Sequence, residues 1–165
     1  MDCEEFTYHS FATLEDAPGL VVPQKVYVAN SHFDRRQPII FPSGTYLWKA
    51  EASHYVDQPA YRARPTTSAR DKLKFTLRLA WHGYKPWNRV IQGTERSDAP
   101  GPVALGILAK EIADAIRFFY QMHTEVATSE PGWAVTRIPF EKLILLELRH
   151  VSDGSWQPVL CYDAQ

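Results

Sequence analysis

The sequence predicts an α+β domain: an antiparallel sheet with one main amphipathic helix, about 103–121, packed on one face. Three observations predict it. Residues 102–120 (PVALGILAKEIADAIRFFY) hold the one long stretch at helical period, with Leu105, Leu108, Ala109, Ile112, Ala115, Ile116 and Phe119 in an apolar stripe. Residues 72–82 alternate instead, Leu73, Phe75, Leu77, Leu79 and Trp81 on one side and Lys72, Lys74, Thr76, Arg78 and His82 on the other. Such alternation marks a strand with one buried and one wet face, as in antiparallel sheets. Asp153-Gly154, set between two apolar runs, is the strongest two-residue hairpin signal in the chain.

Taken in order, residues 1–24 form an acidic segment (Asp2, Glu4, Glu5, Glu15, Asp16) that is part of the domain or draped on it. Residues 25–162 then read as one domain, with no internal repeat and no dividing linker. A short strand is expected at 26–29 and another at 45–50, where β-branched and aromatic residues open the run. Between them Pro38 and Pro42 punctuate a loop anchored by residues 39–41, and 51–70 look irregular. After the 72–82 strand, residues 83–86 turn the chain and 87–91 return beside it. A polar loop, 93–101, leads to the helix, where Pro102 suits a first turn. Within the helix, Lys110–Asp114 and Asp114–Arg117 stand at pairing distance. A strand is expected at 133–138, then 143–151 and 156–162 as the arms of the Asp153-Gly154 hairpin. Pro158 places the last arm at a sheet edge.

At 165 residues the chain suits a single domain, and its 45% hydrophobic and 22% charged fractions are those of a globular protein. A net charge of −1 gives no overall pull toward nucleic acid or anionic membrane. Two cysteines, Cys3 and Cys161, cannot make a disulfide framework. No secretory leader, lipidation signal or membrane span is read, so the expectation is a soluble, cytoplasmic protein.

No histidine pair among His9, His32, His54, His82, His123 and His150 has the spacing of a local metal motif, so no metal is expected. Scattered glycines offer no phosphate loop, and no cofactor is expected. His150 and Cys161 suggest a thiol–imidazole dyad, but hairpin geometry separates them. With His150 facing Gln157 and Cys161 paired to Leu146, they stand about 13 Å apart along the sheet, where a dyad needs roughly 3 Å. Glu147 and Arg149 interrupt an apolar run. They read either as a carboxylate tuned by a guanidinium at a pocket wall or as a solvated cross-sheet ion pair, the second being preferred.

The most suggestive pattern is basic: Arg62, Arg64, Arg70, Lys72, Lys74 and Arg78 accompany a single acid, Asp71. With Trp81, Tyr84 and Trp87 near the strand's end, Arg70, Lys72, Lys74 and Arg78 form a candidate binding face. It suits an acidic protein partner, or single-stranded nucleic acid held by phosphate contacts and stacking. Trp81 argues against stacking, since it falls on the apolar side. Trp48, Trp81, Trp87, Trp133 and Trp156 serve equally to close a core or to line a pocket.

Several packing positions together carry a resemblance: Pro86-Trp87 opening a strand, the V-x-L-x-x-L-A-x-x-I helix at 103–112, R-I-x-F at 137–140, a leucine-rich strand and the closing Trp156. Residues 75–162 resemble a small α+β domain of unknown function common in fungal proteins. This chain has a shorter helix-to-strand loop and lacks that family's basic loop there. The resemblance implies a fold and no catalytic residues.

Three functions follow. The preferred one is a noncatalytic binding domain, its protein or small-molecule partner docking on the basic, aromatic sheet face or at a sheet edge. The alternative is a small cofactor-independent enzyme with an aromatic pocket, His82 or His150 as general base and Glu147 or Arg149 assisting. The third is single-stranded nucleic-acid binding.

Overall fold

The protein is described here by a computed structural model that covers residues 17–65, 74–92 and 103–164. Arg70, Lys72, Pro102 and most of the acidic N-terminal segment lie outside the described residues.

Two hairpins make the sheet. β1 (Leu20–Val21) and β2 (Ile39–Ile40) are short additions ahead of them. β3 (Lys74–Leu79) and β4 (Trp87–Gln92) run antiparallel, Lys74 opposite Gln92 and Leu79 opposite Trp87. β5 (Leu143–Ser152) and β6 (Ser155–Tyr162) form the second hairpin around Asp153-Gly154. The strand order is β2-β5-β6-β3-β4, with β1 beside the end of β6. β3 meets β6 in parallel, Thr76 opposite Ser155 and Leu77 opposite Trp156. The sheet is therefore mixed, a correction to the purely antiparallel expectation. Hairpin signals specify pairing inside a hairpin and carry nothing about the seam between two of them.

The helix α2 (Leu105–His123) covers one face of this sheet. Leu108, Ala109, Ile112, Ile116 and Phe119 are fully buried, and they meet the alternating side of β3 (Phe75, Leu77, Leu79) together with Leu143, Leu145, Leu148 and Leu160. Each of these Leu, Ile and Phe side chains contributes roughly 1.5–3 kcal/mol by leaving water. Lys110 pairs with Asp114 at 2.8 Å as its spacing predicts. Arg117 turns away from Asp114 to Glu51 at 2.9 Å and lies over the Phe140 ring.

That contact belongs to an element the sequence misassigns. Residues 45–50 form no strand. Tyr46 makes one bridge to Ile144, and the chain then coils into a short helix, α1 (Leu47–Glu51), whose buried Leu47 and Ala50 sit one turn apart. Three-residue spacing on five residues is too short a signal to separate from a strand. Residues 26–29 form no strand. Residues 133–138 are turns, opened by a 3-10 turn at Pro131–Trp133, with Ala134 O taking the N–H groups of Arg137 and Ile138.

β6 is no edge strand, against the expectation from Pro158. β5 flanks it along one side. On the other, β3 accompanies its first residues and β1 its last, and Pro158 falls in the gap between them. Its carbonyl takes a hydrogen bond from the Gln24 side chain at 2.7 Å instead. Two irregularities in β5 also shift the register, so His150 faces Trp156 rather than Gln157, and Cys161 faces Ile144 rather than Leu146.

Candidate functional site

The face of the sheet turned away from α2 carries the basic residues. On β3 and β4 it consists of Lys74, Thr76 and Arg78 beside Gln92, Val90 and Asn88. It continues through Ser155 and Gln157 on β6 to Glu147 and Arg149 on β5. Lys74 and Arg78 thus share a face, as their spacing predicts. Trp81, Tyr84 and Trp87 do not join them. Trp81 is fully buried against Phe119 and Tyr120, its Nε1–H donating to Trp133 O at 2.6 Å. Tyr84 packs edge-on to Phe119 and accepts the Val135 N–H at its hydroxyl. Trp87 lies on the helix side against Phe119, half-buried, at the rim of the sheet.

Residues 24–28 cross the basic face as a strap, fastened by two buried glutamines. Gln157 donates to Lys25 O (2.9 Å) and Gln24 Oε1 (3.1 Å) and accepts the Tyr27 N–H (3.0 Å). Gln24 accepts the Ala80 N–H and donates to Pro158 O, so the oxygen and the nitrogen of both amides have partners. The strap sets the Tyr27 ring 3.8 Å from the Arg78 guanidinium, and Arg78 Nε donates to Ser155 Oγ at 3.0 Å. No carboxylate among the described residues pairs with Lys74, Arg78 or Arg89, and the Arg89 guanidinium rests on the Phe118 ring.

β4 ends the strand order and pairs only with β3 among the described strands. Val90 on one side of it (56% exposed), and Phe118 (42%) and Met122 (52%) on the other, leave apolar surface flanking this edge. Phe118 and Met122 stand one turn apart on α2, outside the stripe that meets the sheet. They are legible in the sequence as apolar residues out of phase with that stripe. Tyr27, Ser155 and Gln157, which hold Arg78, carry no such signal, because only the crossing of the strap brings them together.

The histidines proposed as bases have other surroundings. His150 is buried between Phe33 and Trp156; its Nδ1 accepts the Arg36 N–H at 3.0 Å and its Nε2 lies 3.2 Å from Asp153 O. Both ring nitrogens are thus engaged by backbone. His82 Nε2 stands 3.5 Å from the half-exposed Glu130 carboxylate in an open cleft of about 430 Å³ lined by Trp81, Lys85 and Ser129. The cleft opens to solvent on the Glu130 side, while the His82 ring is mostly buried beside the turn, so this is an open cleft and not an enclosed aromatic pocket.

Glu147 and Arg149 do form an ion pair, along one strand and not across two, with Glu147 buried and Arg149 a quarter exposed. Cys161, five positions from His150's row in the ladder, is buried, and burial pushes its thiol up to about 11, with Asp163 adding to the effect. At neutral pH it is a protonated, unreactive thiol. Among the described residues no three metal-ligating side chains converge, and no helix is long and apolar enough to cross a membrane.

No protein-family model matches this chain, and no curated protein or solved structure does either.

Proposed function

We propose that this chain is a noncatalytic interaction domain that takes an extended, acidic segment of a partner protein along the outer edge of β4. The observation that carries the reading is the β3–β4 hairpin itself. The three charged residues of its two strands, Lys74, Arg78 and Arg89, are all cationic, and none pairs with a carboxylate among the described residues. Sheet edges usually carry a proline, a bulge or an outward charge that blocks further pairing. β4 has no proline or bulge, and its one charge lies folded on Phe118. An added strand gains main-chain hydrogen bonds, while its alternate side chains reach Val90 on one face and Phe118 and Met122 on the other. A second copy of the chain fits this edge poorly, because it would bring cation against cation.

The enzyme reading is weaker because His150 is engaged by backbone and the His82–Glu130 pair lies in an open cleft. Nucleic-acid binding is weaker because Trp81 and Trp87 pack toward α2, leaving no row of exposed rings beside the cations among the described residues.

Selection from a random linear peptide library tests the proposal. Enriched peptides are expected to alternate apolar residues with Asp or Glu, to shift the β4 amide resonances, and to bind at least about tenfold more weakly to Arg89→Glu or Val90→Glu. Both positions are exposed, so each substitution changes stability by only about 0.5 kcal/mol. Enrichment of peptides without acids, or binding indifferent to both substitutions, overturns the reading.

A further inference from the structure

Where the strap stands off the hairpin it leaves a second cleft, of about 240 Å³, on whose wall Arg78 sits. We propose that this cleft is a binding site for a small apolar monocarboxylate, its carboxylate on the Arg78 guanidinium and its body between Tyr27, Val28, Pro86 and Trp87. The site is distinct from the β4 edge and needs no partner protein.

Arg78 supplies the anion end. Of the five N–H donors of a guanidinium, Nε–H goes to Ser155, and the Nη hydrogens meet no acceptor among the described residues. Stacking on Tyr27 fixes the plane of the group, and the Ser155 bond fixes its rotation within that plane. What remains is the Nη1–Nη2 end of the fork, the geometry that receives two carboxylate oxygens side by side. A half-buried cation held this rigidly has lost part of its hydration without gaining a counter-ion among the described residues, and a ligand carboxylate corrects that deficit.

The rest of the cleft supplies the apolar end. Leu79, Ala80, Pro86 and Trp87 line the rest of it along the strand ends, and Val28, 79% exposed, stands at its rim. Its volume falls below the roughly 300–1,000 Å³ of sites for drug-sized ligands. That size selects a small aryl or branched aliphatic acid. A phosphate, with more oxygens and more charge than one fork end can match, is disfavoured.

Phenylacetate and its neutral analogue phenylacetamide, titrated into the ¹⁵N-labelled full-length protein, test this. Phenylacetate is expected to shift the backbone amides of Ala80, Trp87 and Asn88, with phenylacetamide at least about tenfold weaker and Arg78→Gln abolishing the difference between them. Arg89→Glu, on the opposite face, should leave phenylacetate binding within about twofold, which separates this site from the β4 edge. Arg78→Lys keeps the charge but loses the fork and the stack, and should also bind at least about tenfold more weakly. Equal binding of acid and amide to the wild type overturns the proposal without reference to any variant. So does a chemical-shift response confined to residues outside the cleft, or an Arg78→Gln protein that still prefers the acid.

Discussion

Gln157 lies in the middle of an apolar strand, fully buried, and its three hydrogen bonds fasten residues 24–28 to the sheet. Gln157→Leu keeps nearly the same volume but leaves Tyr27 N–H and Lys25 O without their partner. An orphaned pair of this kind costs about 1–3 kcal/mol, against a smaller gain from the added apolar burial. The expected outcome is a net loss of about 1–2 kcal/mol in urea unfolding, together with faster hydrogen exchange at the Tyr27 amide. Unchanged exchange there would show that the strap is held by something other than Gln157. Individual side chains were unevenly legible in the sequence. Lys74 and Arg78 could be placed on the wet side of β3 from alternation alone, and Trp81 on the dry side. Tyr27 and Ser155 could not be assigned to Arg78, since they stand far from it in the chain and no periodicity links them.

Elements with a period were legible, and those without one were not. α2 and the two hairpins carry many repeats of 3.6 or 2, or a turn dipeptide that fixes their ends, whereas α1 and the turns around 131–138 are too short for either. Where two elements touch, the local preference can even reverse. Gly106 lies in the first turns of α2, and in an exposed helix Gly→Ala gains about 1 kcal/mol. Here an added Cβ would come 2.7 Å from Tyr55 O and 3.0 Å from its carbonyl carbon, and both are backbone atoms that cannot rotate aside. Forcing such an overlap apart costs about 1–3 kcal/mol. Gly106→Ala is therefore expected to destabilise by about 1–2 kcal/mol net, read as a lower urea midpoint with an unchanged slope. A midpoint that rises would mean that α2 can slide off the segment carrying Tyr55 at little cost.

At the scale of the whole molecule the parallel seam between β3 and β6 stayed hidden, because nothing local distinguishes a strand's two neighbours. What the assembled core does to its titratable groups was equally out of reach of the sequence. Burial holds the Cys161 thiol up to about 11 and raises the hydroxyls of Tyr46, Tyr55 and Tyr120 as well. All four shifts run one way. The unfolded chain releases these protons at lower pH than the folded one does, so above the unfolded values the unfolded state binds fewer protons and stability falls as pH rises. Cys161 opens the window, near pH 9, and the tyrosines extend it upward from about 10. Between about pH 8 and about pH 10.5 the thiol alone should remove on the order of 2 kcal/mol. Urea unfolding at the two pH values measures the sum. Cys161→Ala isolates the thiol: its cavity lowers stability equally at both pH values, so the difference between them should shrink while the absolute stability drops. A pH difference identical in the two proteins would mean that the thiol ionises in the folded chain as easily as in the unfolded one, and that the sheet around it is open to water.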